Sequence, residues 1–127
     1  MPSKLLIIFL GLILGCNSSI ADTPPTRIVA IGDLHGDYDN AVDVLQLAGL
    51  VNQDVAWIGG ATTLIQTGDI TDRGPDSKDL MDLLKRLQQE AKVAGGHVIP
   101  LLGNHEVMNT QGDWRYVHPG DTEKFGG

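Results

Sequence analysis

Three times in this sequence a short run of aliphatic and β-branched residues ends in glycine followed by aspartate or asparagine. Ile28-Val29-Ala30-Ile31 leads into Gly32-Asp33, Leu64-Ile65-Gln66-Thr67 into Gly68-Asp69, and Val98-Ile99-Pro100-Leu101-Leu102 into Gly103-Asn104. Runs of this length and content are expected as buried strands, the third at a sheet edge or locally irregular because Pro100 lacks an N–H. The spacing between them predicts helices. Ala41, Val44, Leu45 and Ala48 recur at helical spacing, with Asp37 or Asp39 as N-cap and Gly49 as the stop. Leu80, Leu83, Leu84, Leu87 and Ala91 make a second stripe, capped by Asp76 and ended by Gly95-Gly96. A further short strand is expected within Asp54 to Gly60, around Trp57 and Ile58.

Strands alternating with helices imply an α/β fold with parallel strands and crossover helices. Ligands in such folds bind beyond the carboxyl ends of the strands. All three Gly-Asp/Asn elements fall there, so Asp33, Asp69 and Asn104 are expected on one rim.

The rim begins after an address. Lys4 precedes an apolar run over residues 5–15, too short for a bilayer span of roughly 18–20 residues but suited to a signal peptide. Residues 1–21 are read as that signal. Ser19-Ile20-Ala21 offers a small-x-small cleavage site, while Ile13-Leu14-Gly15-Cys16 resembles a lipobox that would lipidate Cys16. Residues 22–26, with Pro24-Pro25, form an extended tether. Export to the periplasm or a lipid anchor at the envelope follows, and any membrane attachment would be through that lipid. The formal net charge of −7 excludes nucleic-acid binding by bulk charge, and the single cysteine excludes an intramolecular disulfide.

The rim residues suit metal and phosphate. In Gly32-Asp33-Leu34-His35-Gly36, an Asp and a His two apart on an extended strand end point the same way and offer oxygen and nitrogen to one cation. Asp69, in Gly68-Asp69-Ile70-Thr71-Asp72-Arg73-Gly74, can bridge two cations, and the fork of Arg73 suits a phosphate or a salt bridge with Asp72 or Asp76. In Gly103-Asn104-His105-Glu106, Asn104 can offer its carbonyl oxygen. The residue chemistry leaves His105 open as ligand or general acid.

Gly-Asp-x-His-Gly, Gly-Asp-x-x-Asp-Arg-Gly and Gly-Asn-His-Glu, in this order, resemble the signature blocks of calcineurin-like metallophosphoesterases. The Asp-Arg-Gly and His-Glu forms resemble the phosphoprotein phosphatase branch, nearest to the Shewanella-like protein phosphatases. The resemblance implies part of a metallophosphoesterase β-sandwich over residues 27–127 and two divalent ions (Mn, Fe or Zn) whose bridging hydroxide attacks phosphorus. It implies Asp33 and His35 on the first metal, Asp69 on both and Asn104 on the second. By the same resemblance His105 is the general acid, Asp72 its orienting partner, Arg73 the phosphate clamp, and Glu106 a structural residue with Arg73 as a candidate partner. The implied substrate is a phosphorylated protein, with dinucleoside polyphosphates or other small phosphate esters, or phosphate or metal binding without turnover, as alternatives.

The family supplies further histidines beyond these blocks. Besides His35 and His105 the sequence has only His97, at the far end of the third strand, and His118, in a loop-like stretch before Pro119. Arg115 lies too near the third block for assignment as a second phosphate-binding arginine. Phe125-Gly126-Gly127 follows no evident helix or strand. The chain is therefore expected to be the N-terminal part of a longer phosphatase, with weak metal binding and little turnover of its own.

Overall fold

The computed structural model describes residues 27–127. The expected signal segment, Cys16 and the 22–26 tether lie outside them. Strands β1 (Ile28–Ile31), β2 (Thr63–Gln66) and β3 (His97–Pro100) form one sheet in the order β1-β2-β3, all parallel. The crossovers carry α1 (Tyr38–Leu47) and α2 (Ser77–Val93), and α3 (Asn104–Thr110) and α4 (Pro119–Lys124) follow β3.

Register decides which side chains are covered. Val29, Leu64 and Val98 stand in one row, and Ile31, Gln66 and Pro100 in the next row of the same face. That face packs against α1 and α2. Leu64, Val98, Ala41, Leu45, Leu80, Leu83, Leu84, Leu87 and Ala91 all belong to the buried core. The α2 stripe is buried as its spacing predicts. In α1 only Ala41 and Leu45 are buried, because Val44 projects to the open side of the helix. Pro100 sits at the last paired position of β3, where its missing N–H interrupts no ladder beyond Leu101, whose N–H donates to Gln66 O at 2.8 Å.

Three expectations are corrected. The segment around Trp57 forms no strand: Val51 and Trp57 make an isolated antiparallel bridge, and Glu90 Oε2 takes the Trp57 N–H at 2.8 Å, so a side chain replaces a ladder. Asp76 occupies the N-cap position of α2 but makes no side-chain cap, because its carboxylate pairs with Lys124. The Ser77 N–H at that end is instead taken by Asp121 Oδ1 of α4 at 2.9 Å. His118 ends the loop-like stretch expected there, and its Nδ1 accepts the Gly120 N–H at 3.0 Å and caps α4, with Pro119 at the start of the helix where an N–H is not needed. The last segment therefore does carry a terminating helix. Among the described residues no helix is long and apolar enough to cross a membrane.

Candidate metal and phosphate centre

The loops after the three strands are bound to one another through Asp69. Its carbonyl accepts the N–H groups of Leu34 (2.9 Å) and His35 (3.0 Å), joining the first loop to the second. Its Oδ1 accepts the His105 N–H at 2.9 Å, joining the second to the third. Gln66, buried at the end of β2, donates through Nε2 to Gly68 O (2.6 Å) and Gly32 O (3.2 Å) and accepts the Gly68 N–H at 3.0 Å. A buried amide is thereby fully used to hold two strand ends in register.

Two glycine contacts allow this convergence. A Cβ on Gly74 would lie 2.4 Å from Gly36 O, and one on Gly103 would lie 2.2 Å from Asp69 Oδ1, so each pair of loops meets where no side chain fits. The backbone around these contacts is strained. His35 (φ 46°), Asp69 (55°), Asp72 (75°) and Arg73 (68°) all adopt the left-handed region, at a cost of order 1–3 kcal/mol each. Such strain persists only where surrounding bonds over-determine the conformation.

Glu106 supplies those bonds. Its carboxylate is 7% exposed and accepts the N–H groups of Gly103 (2.7 Å), Asp69 (2.8 Å), Ile70 (2.8 Å) and Thr71 (3.0 Å), with the Thr71 hydroxyl at 3.1 Å. Burial is the largest single influence on its pKa and pushes it up. The hydrogen bonds from Thr71, Gly103 and Asp69 together outweigh burial, so the carboxyl titrates below its ordinary range. The expected Arg73 partner is thus replaced by main-chain donors. A Glu three residues after the N-cap Gly103 of α3 is the sequence signal for such a reach-back.

His35 and Asp33 do approach, with Nε2 to Oδ2 at 3.6 Å, but through a left-handed turn at His35 rather than by strand alternation. His35 Nδ1 lies 3.1 Å from the Thr71 carbonyl, which can only accept, so that nitrogen carries the proton and Nε2 presents a lone pair. Nε2 is buried and has no hydrogen-bond partner among the described residues. A buried imidazole nitrogen anchored through its opposite N–H is the arrangement of a metal-ligating histidine. Ligand atoms of His35, Asp69 and His105 lie within 4.8 Å of one another. A borderline divalent ion fits this imidazole and carboxylate donor set.

His105 differs from His35 in its neighbours. Its Nδ1 meets Asp72 Oδ2 at 2.8 Å, and the Arg73 guanidinium donates to its Nε2 at 3.4 Å. The ring stands edge-on to His35 at 4.7 Å and against the Tyr116 ring at 5.1 Å. A cation beside Nε2 would face that guanidinium, whereas an anion would pair with it. Asp33, Arg73 and Asn104 are exposed at the rim, and Asp72 is buried beneath it. The remaining candidates lie elsewhere: His97 opens β3 at the far end of the sheet, His118 caps α4, and Arg115 pairs with Asp113.

The profile of the Calcineurin-like phosphoesterase family matches residues 26–126. The chain belongs to that family. Over 101 residues it is 44% identical to Shewanella-like protein phosphatase 2 of Arabidopsis thaliana, covering 80% of this chain and 26% of that protein. A symmetrical bis(5'-nucleosyl)-tetraphosphatase of Psychromonas ingrahamii is 36% identical over 82 residues, covering 63% of this chain and 27% of the other. Among solved structures, the cold-active protein-tyrosine phosphatase of a psychrophilic Shewanella species superposes with a TM-score of 0.68 at 38% identity, over 76% of this chain and 30% of that one. The chain spans about a quarter to a third of the length of the curated relatives it matches. This membership accords with the sheet, the crossover helices and the three rim blocks.

Proposed function

We propose that this chain carries the first part of a metal-dependent phosphoric monoester hydrolase that acts on phosphorylated proteins outside the cytoplasm. The observation that supports it most is the buried Nε2 of His35, without a hydrogen-bond partner among the described residues and held beside Asp33 and Asp69. In this reading Asp33, His35 and Asp69 hold one divalent ion, and Asp69 and Asn104 help hold a second. Such ions, when bound, place positive charge against phosphoryl oxygens and lower the pKa of water. Arg73 binds and orients the phosphoryl group through its planar fork. As phosphate draws Arg73 away, His105 Nε2, freed of that donor, takes a proton from solvent and passes it to the leaving oxygen. Asp72 holds the opposite N–H and stabilises the charged ring. Residues 1–21 direct export, with Cys16 as the site of any lipid anchor.

The bis(5'-nucleosyl)-tetraphosphatase relative favours a second reading, hydrolysis of dinucleoside polyphosphates. The test is to incubate the full-length protein, reconstituted with Mn, Fe or Zn, with tyrosine- and serine-phosphorylated peptides and with a dinucleoside tetraphosphate. Release of inorganic phosphate from peptides, abolished by chelator and restored by metal, is expected. Cleavage of the dinucleotide alone would overturn the phosphoprotein reading, and cleavage of neither would overturn the hydrolase.

A further inference from the structure

Helix α3 delivers two side chains to the same carboxylate. His105 and Asn109 are four residues apart and so share one helix face. His105 Nδ1 lies 2.8 Å from Asp72 Oδ2, and Asn109 Nδ2 donates to Asp72 Oδ1 at 2.9 Å. Both oxygens of Asp72 are therefore held from one helix, while its backbone sits strained at φ 75°. The orientation of the Asn109 amide follows from its partners. Nδ2 also donates to Thr71 Oγ1 at 3.2 Å, and that hydroxyl donates onward to Glu106 Oε1. A reversed amide would set its oxygen against the Asp72 carboxylate, acceptor against acceptor. Asn109 Oδ1 is buried and has no partner among the described residues, so the nitrogen alone decides where the amide lies.

From this geometry we infer that Asn109 is a positioning residue for proton delivery: it fixes the rotation of the Asp72 carboxylate so that Oδ2 holds the Nδ1–H of His105 and aims Nε2 at the leaving oxygen. The inference rests on the proposed role of His105 as proton donor. Without the Asn109 donor the carboxylate can turn about its side-chain bond, and the imidazole loses its fixed aim.

Leaving-group dependence separates this role from simple packing. An ester with a very acidic leaving group, dinitrophenyl phosphate, needs little protonation, whereas phenyl phosphate needs it fully. In the full-length protein, Asn109→Leu, similar in volume but without a donor, is expected to lower kcat for phenyl phosphate roughly tenfold. KM, bound metal and kcat for dinitrophenyl phosphate should stay within about twofold of wild type on the same argument. Asn109→Ala, which adds no bulk, is measured in parallel in case the leucine variant does not fold. Equal loss on both esters, or no loss on either, would overturn the inference. A second readout does not need turnover. Proton NMR should show a downfield, exchange-protected Nδ1–H that disappears in His105→Ala, and in the Asn109 variants it should broaden or shift upfield. If the wild type hydrolyses neither ester, the proposed function fails while the proton resonance still decides here, and an unchanged resonance in the Asn109 variants refutes the positioning role.

Discussion

Asp69 and His105 sit in contact yet are expected to fail in different ways. Asp69 groups a carboxylate with the ligand atoms of His35 and His105 and also accepts the His105 N–H at 2.9 Å. Asp69→Ala should remove most bound metal, measured by elemental analysis after gel filtration, together with nearly all turnover. His105→Ala should leave metal content close to wild type and lower turnover by about 10²–10⁴-fold, the range for a positioned proton donor. Metal loss on changing His105 would make it a ligand instead. Glu106 gives a prediction about stability rather than chemistry. Its pKa is lowered in the fold from an ordinary 4.5, so its contribution is fully present above that value and is lost as pH falls through the depressed one. Glu106→Gln turns several charge-assisted bonds into poorer ones and should cost about 3 kcal/mol at neutral pH. Urea unfolding of both proteins should show a gap that is constant above about pH 5 and closes towards acid. A gap that persisted or widened at low pH would contradict the assigned role.

Elements were legible where their pattern is local. β1, β2 and β3 announce themselves by aliphatic runs, and α2 by a stripe whose every member is buried. Helices α3 and α4 carry no such stripe. Residues of α3 are spent on the rim (His105, Glu106, Asn109), and α4 is held by the Asp121 bond to Ser77 and the Lys124 pairs with Asp76 and Asp79. Contacts between residues more than forty positions apart leave no periodic trace. The same limit explains the site. Asp33, His35 and Asp69 stand out as candidates because each follows a strand, while Asn109 is marked only by its four-residue spacing from His105. The glycines at the loop junctions carry the next prediction. Gly74→Ala places a Cβ 2.4 Å from Gly36 O and 2.7 Å from His35 O, so the first two loops must separate. A stability loss of about 1–3 kcal/mol is expected with sharply weaker metal binding. Gly112→Ala is the control: φ is +80° there, but no atom of the described residues lies within 4 Å of the added Cβ. It should cost about 1 kcal/mol and leave metal affinity intact, and equal metal loss in both would show that the junction is not what holds the site.

At the scale of the molecule, the sheet has one dressed face and one bare face. Parallel sheets are ordinarily covered on both sides, which is why their strands read as near-continuous apolar runs. Here Ile28, Thr63 and His97 form one row of the second face, and Ala30, Ile65 and Ile99 form the next. Ile28 is 65% exposed and Ile99 43%, and Leu102 just beyond β3 is 76% exposed. No described helix packs there. The aliphatic content of β1 and β3 thus exceeds what the described contacts use, as it would if that face were made to be covered. Exposed aliphatic side chains grouped on one sheet face in this way favour association in water. The 127-residue chain on its own should therefore bind a hydrophobic dye and self-associate with rising concentration in sedimentation velocity. Replacing Ile28 and Ile99 together by lysine should reduce both effects. Because these side chains already face solvent and lie opposite the α1–α2 core, the thermal midpoint at low protein concentration should hardly move. A wild-type chain that stays monomeric and dye-silent at every concentration would mean that the bare face is tolerated by water, and the aliphatic pattern of β1 and β3 would then need another cause.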